Sequence, residues 1–227
     1  MNTRHLIRWA GLAALVAGLC FVIGELLRPP VILASVATPR WVIVHGLALA
    51  VGGFGLVGVT AIYARQAAAA GKLGLAGYLL LSLWLLLSFA FAFFEAFVLP
   101  RLAQAAPSLA EGFVAMFARS SNAPNLGAFS ALWSLADILF ILGSLVFGIA
   151  TFRAGVLSRW AAGLFTVGIG LAPAYGLLPA SLQPLVALPI GLGLAGLGCA
   201  LLTERHPPAA HRGSGRGTVQ LHPHSAE

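Results

Sequence analysis

Four ionisable side chains interrupt otherwise apolar runs of this sequence: Glu25, His45, Glu95 and Asp137. A charged group at the centre of a membrane helix costs about 2.5–3.5 kcal/mol on insertion scales, so such groups face protein or water and take partners. Carboxylates with an imidazole can bind or relay a proton, hold a cation, or hydrogen-bond a small polar ligand. One His with three carboxylates is also a mixed donor set for a divalent ion. It is a thin set for zinc, which usually takes more His or Cys.

Helical spacing places each of the four on a stripe of small or hydroxyl residues. Glu25 follows Gly11, Ala14, Gly18 and Phe21. His45 leads into Ala48, Gly52 and Gly55, and Glu95 follows Ser88 and Ala92. Asp137 lies between Ser130 and Ser134 on one side and Ile141, Ser144 and Gly148 on the other. Small residues mark helix–helix contact in membranes, so all four are expected to point into a bundle. Glu25 with Arg28, and Glu95 with Arg101, also have the spacing of interfacial ion pairs. Asp137 is placed roughly 15 Å into its span, too deep to snorkel. It is expected to pair, His45 being one candidate, or to stay protonated through desolvation.

The elements that would carry these groups are six apolar stretches near 6–27, 41–64, 73–99, 127–152, 160–178 and 184–203. Each approaches the ~20 residues needed to cross about 30 Å of hydrocarbon. Backbone groups in lipid must be satisfied internally, and the alternation of barrel strands is absent. The expected fold is therefore all-α: a polytopic transmembrane bundle of about six spans filling residues 1–204.

Composition agrees. Of 227 residues, 59% are hydrophobic and 8% charged, against about 25% charged in soluble domains. Mean hydropathy is +0.95. A net charge of +7 raises the question of nucleic acid, but no basic stripe or stacking module is present, so nucleic acid is not an expected partner. The cations sit between apolar runs instead. Nine of them fall in the amino end, the second and fourth loops and the tail, and four fall in the alternate loops. The positive-inside rule then puts both termini in the cytoplasm. The arginine, glycine and alanine bias suits a GC-rich bacterial genome, which makes a bacterial inner membrane the expected location. The first span is read as retained, because Glu25, Arg28, Pro29 and Pro30 separate it from the small residues Ser35 and Ala37.

One connection is long. Within 101–126, Ser108 and Glu111 make a capping box. Leu109, Phe113, Met116 and Phe117 then share a face. This predicts a short amphipathic helix near 108–119 at the outer interface, serving as a packed connector or as a lid. The tail 205–227 lacks the apolar residues needed to offset ordering entropy and is expected to be disordered. Its His206, His211, His222 and His224 are read as solvated.

Several motifs are set aside. Gly53-x-Gly55-x-x-Gly58 and Gly191-x-Gly193-x-x-Gly196 match the dinucleotide fingerprint in letters, but both lie inside spans, where small residues serve helix packing. His45 is the one intramembrane histidine, so a bis-histidine haem is not expected, and no cofactor is predicted. Cys20 and Cys199 are placed about 15 Å apart in depth, too far for a disulfide.

The stretch from Ala150 to Gly163, with Arg153 and Arg159 around Gly155, resembles a short cytoplasmic turn of uncharacterised bacterial multi-span membrane proteins, a family of unknown function. Arg8-Trp9-Ala10-Gly11-Leu12 resembles their amino-terminal entry, and Ala61-Ile62-Tyr63-Ala64-Arg65-Gln66 their first inner turn. The resemblance implies topology and bacterial origin, and no activity.

Three functions fit the residues. One is an outward-facing polar pocket at Glu25, His45, Glu95 and Asp137 that binds or translocates a proton, cation or small polar ligand. Another is a structural or partner-binding protein, with a protein partner or a second copy recognised by the outer loop and lipid all round. The last is a metal-dependent membrane enzyme, its metal unspecified.

Overall fold

A computed structural model describes residues 3–179 and 182–203. Among them every regular element is helical. They are α1 (Thr3–Leu26), α2 (Leu33–Val36), α3 (Pro39–Phe93), a π-helical turn (Phe94–Val98), α4 (Leu99–Ala105), α5 (Pro107–Phe117), α6 (Ala128–Ala154), α7 (Arg159–Leu171), a 3-10 segment (Ala172–Leu177) and α8 (Gln183–Thr203). Four helical stretches are long and apolar enough to cross a membrane: His5–Leu26, Pro39–Ala105, Ala128–Ala154 and Gln183–Thr203. The expected disordered tail, 205–227, lies outside the described residues.

The second and third expected spans are arms of one helical stretch. The 55 residues of α3 would reach about 80 Å if straight. They do not run straight, because Gly71 adopts φ 58° and ψ −150°, a conformation open essentially to glycine alone. The chain folds back there. Tyr63 and Tyr78 stack at 4.6 Å, and the Thr60 and Tyr78 hydroxyls share a 3.2 Å hydrogen bond. Further along, a Cβ added to Gly52 would meet the Cβ of Phe89 at 2.8 Å. A loop between the arms is unnecessary because one glycine makes the turn.

The second arm ends in the π-helical turn, where the Leu99 N–H donates to Phe94 O, five residues back. The cause is the next residue. Pro100 has no N–H for the Ala96 carbonyl, and its ring crowds that carbonyl. The wider turn makes room. The fifth expected span differs as well. Only the 13 residues of α7 are α-helical, about 20 Å of rise. Pro173 cannot donate to Ile169, and the chain tightens into the 3-10 segment there.

Caps fix the other starts. Thr38 Oγ1 accepts from the Trp41 N–H at 3.3 Å, with Pro39 opening α3. Ser158 Oγ accepts from the Ala161 N–H at 3.4 Å. The expected capping box at Ser108 and Glu111 does not form. Pro107 opens α5 one residue earlier, after Ala106, so Ser108 falls inside the first turn and caps nothing.

Close glycine contacts show how the segments pack. A Cβ on Gly18 of α1 would come 2.6 Å from the Ala195 nitrogen of α8, and one on Gly58 of α3 would come 2.6 Å from Ala14 of α1. Gly77 of the second arm meets Phe147 of α6 in the same way, Gly148 meets Thr166 of α7, and Gly193 of α8 meets Phe165. These contacts link α1, the two arms of α3, α6, α7 and α8 in chain order, and α8 returns to α1. The six segments close a ring. Gly11 against Gly198 brings the start of α1 beside the end of α8. That end is the terminal end of the bundle. The opposite end is capped by α2, α4 and α5, where Val36, Trp41, Leu99, Ala110 and Val114 share one buried apolar cluster. Outward faces carry exposed Leu19, Ile23, Leu79, Leu83 and Leu142, a surface suited to lipid.

Candidate functional site

The four sequence-selected residues all fall toward the capped end, but they do not converge on one pocket. They resolve into three pairs, each a carboxylate with a basic partner.

The most buried pair is His45 with Glu95. Its Nε2–Oε1 distance is 3.3 Å, and the two side chains are 11% and 12% exposed. Trp41 and His45 are one helical turn apart on the buried face of α3, so their rings meet at 4.3 Å. His45 Nδ1 lies 2.7 Å from the Trp41 carbonyl. A carbonyl only accepts, so this nitrogen carries a proton. The Trp41 indole Nε1–H donates to the Glu95 carbonyl at 2.8 Å. Trp41, itself 1% exposed, therefore braces both partners.

With Nδ1 turned to the Trp41 carbonyl, Nε2 is the ring nitrogen that faces Glu95 Oε1. A proton held between these two atoms would let one donate to the other. Glu95 reaches this place because it stands in the π-helical turn forced by Pro100. Such turns often accompany functional positions.

Asp137 does not meet His45. Its Oδ1 accepts from Arg119 Nη2 at 2.5 Å, and the two side chains are 35% and 63% exposed. Arg119 comes from the segment after α5, so the connection between α5 and α6 reaches the acid. Glu25 meets Arg28 within its own chain end, as its i, i+3 spacing predicts, and one of its bonds is Arg28 Nε to Glu25 Oε2 at 3.0 Å. Arg40 Nε donates to the Leu27 carbonyl at 2.7 Å and ties the end of α1 to the start of α3. Glu95 takes His45 as its partner in the place where Arg101 was expected.

Among the described residues no three His, Cys, Asp or Glu side chains gather as a metal group would require. Cys20 and Cys199 are both free thiols. At the centre of the ring lies a small cavity, with about 20 Å³ of room for the centre of a water-sized sphere. Phe21, Val59, Trp84, Phe140, Phe165 and Ile190 are among its walls, so every segment of the ring contributes. None of the four ionisable residues lines it.

Three features escaped sequence reading. Trp41 opens its apolar stretch where an interfacial anchor would stand, and its i, i+4 spacing to His45 alone does not reveal a brace for the pair. Gln66 is 2% exposed and donates through Nε2 to Thr151 Oγ1 at 2.6 Å, joining α3 to α6. It continues the His45 stripe through Gly52, Gly55, Val59 and Ile62, which the expected span end at 64 cut short. Arg119 carried no signal as the partner of Asp137. Comparison with protein-family models, curated proteins and solved structures gives no match.

Proposed function

We propose that this chain is a six-span protein of a bacterial inner membrane, with both termini in the cytoplasm, whose His45–Glu95 pair binds a proton near the outer side. A small cation or polar ligand could take the proton's place between the same two groups. The observation that carries this reading is the arrangement of His45: Nδ1 committed to the Trp41 carbonyl, and Nε2 3.3 Å from Glu95 Oε1.

The reading of six crossings counts the arms of α3 separately and takes α7 with its 3-10 extension as one span. The orientation follows from charge. Nine Lys and Arg fall in the segments of the terminal end and the tail, against Arg28, Arg40, Arg101 and Arg119 in the segments of the capped end. Exposed Trp9 and Trp160, at 68% and 91%, suit the interfacial aromatic belt on the terminal side.

Infrared difference spectroscopy of the full chain in nanodiscs, titrated across neutral and acid pH, tests the reading. Glu95→Gln removes a titrating carboxyl signal present in the parent, and His45→Gln shifts it. Unchanged spectra in both variants would sink the proposal.

A second reading, a structural or partner-binding protein, draws support from Glu25–Arg28 and Arg119–Asp137. Both acids are neutralised locally by neighbouring arginines, as scaffold residues would be. A metal-dependent enzyme has less to stand on, since no third donor accompanies His45 and Glu95 among the described residues.

A further inference from the structure

We infer that α5 is a latched cover over the His45–Glu95 pair, and that Arg119–Asp137 is its latch. The purpose of the cover rests on the proton-binding reading; its geometry does not.

The seat of the cover comes first. Phe113 and Phe117 of α5 lie 4.8 and 6.3 Å from the ring of Phe94, the residue before Glu95 in the π-helical turn. Ala110 and Val114 of α5 belong to the buried cluster of Trp41, which touches His45 and holds the Glu95 carbonyl. α5 therefore rests on the same two elements that present the pair.

Both ends of the cover leave helical geometry. Ala106, between α4 and α5, has φ −145° and ψ 73°. Gly127, before α6, has φ 65° and ψ −131°, with nothing within 4 Å of where a Cβ would stand. The segment 107–126 lies between these two joints.

The latch is marked by an unfavourable backbone choice. After α5 the Arg119 N–H donates to Met116 O at 3.0 Å and the Ser120 N–H to Ala115 O at 2.9 Å, the two bonds of a Schellman motif. Its left-handed position normally takes glycine. Here it holds Arg119 at φ 55°, the one non-glycine residue with positive φ among those described. An arginine gains nothing for the turn. Its side chain explains its presence, since the guanidinium crosses to Asp137 on α6 and pins the far end of α5.

The test is diethyl pyrocarbonate labelling of the full chain in nanodiscs, read by mass spectrometry as the rate at His45 relative to exposed His5. Losing an ion pair this exposed should raise the ratio about 1.4- to fivefold. Asp137→Asn removes one partner. Arg119→Gly removes the other and also relieves the backbone, so a rise there cannot be assigned to a strained fold. Phe117→Ala weakens the aromatic seat of α5 on Phe94 and should raise the ratio as well. A ratio unchanged in Asp137→Asn and Arg119→Gly, with helix content retained by circular dichroism, overturns the latch. If the ratio rises while Glu95→Gln leaves the infrared titration unchanged, the cover stands and the proton site falls.

Discussion

Arg119 holds the guanidinium that neutralises Asp137, and it does so from a left-handed backbone position that glycine would occupy more easily. Two small terms of opposite sign meet there. An exposed ion pair contributes about 0.2–1 kcal/mol. A non-glycine residue in the left-handed region costs roughly 1–2 kcal/mol. Arg119→Gly should therefore leave thermal stability within about 1 kcal/mol of the parent, or raise it. Asp137→Asn should lower it slightly. Thermal unfolding in detergent checks this, and a large loss in Arg119→Gly would show that the arginine does more than pair.

Trp41→Phe keeps an aromatic ring against His45 but removes the indole N–H that donates to the Glu95 carbonyl. The expected cost is about 1 kcal/mol. Trp41→Ala also empties a fully buried site and should cost about 3–5 kcal/mol. Chemical denaturation of both variants measures the contrast. An unchanged stability in Trp41→Phe would mean that the hydrogen bond contributes nothing.

Gln66 and Thr151 form a buried bridge near the terminal end, and the Gln66 Oε1 has no hydrogen-bond partner among the described residues. Removing one partner, as in Thr151→Val, strands the amide and should cost about 1–3 kcal/mol. Replacing both, with Gln66→Leu and Thr151→Val, should recover most of that loss. A double variant as damaged as the sum of the singles would argue that the pair does not interact.

Gly71→Ala tests the fold-back of α3. With φ 58° and ψ −150°, a side chain is strained there by about 1–3 kcal/mol, even though the space around it is open. The expected result is a lower melting temperature with helix content preserved. An unchanged melting temperature would show that the turn is not held in this conformation.

Much of the architecture was legible because lipid permits few solutions. Apolar length and charge spacing marked the helical stretches, and the small-residue stripes along Gly11 to Gly18 and Gly52 to Gly58 marked the faces that pack. Details that depend on single backbone angles were not legible. Nothing in the run around Gly71 announces that one glycine would replace a loop. Pro100 announced a disturbance but not a π-helical turn. The capping box at Ser108 lost to the adjacent Pro107, which starts a helix without help from a side chain.

At the site, spacing found the four ionisable residues and the Glu25–Arg28 pair, since neighbours three apart at a helix end lie within reach of one another. Longer-range partners depend on how elements lie across one another. Glu95 reaches His45 because the two arms of α3 are antiparallel, and Arg119 reaches Asp137 because the connection between α5 and α6 carries it there. Neither follows from positions along the chain.

The closed ring has a consequence for how the molecule is made. The Gly11–Gly18 face of α1 leaves the ribosome well before its neighbour on that side, α8. Until α8 follows, α1 presents a glycine-lined groove to lipid or to whatever machinery attends insertion. Only α8 can seal the ring, so the bundle cannot close until α8 has been made.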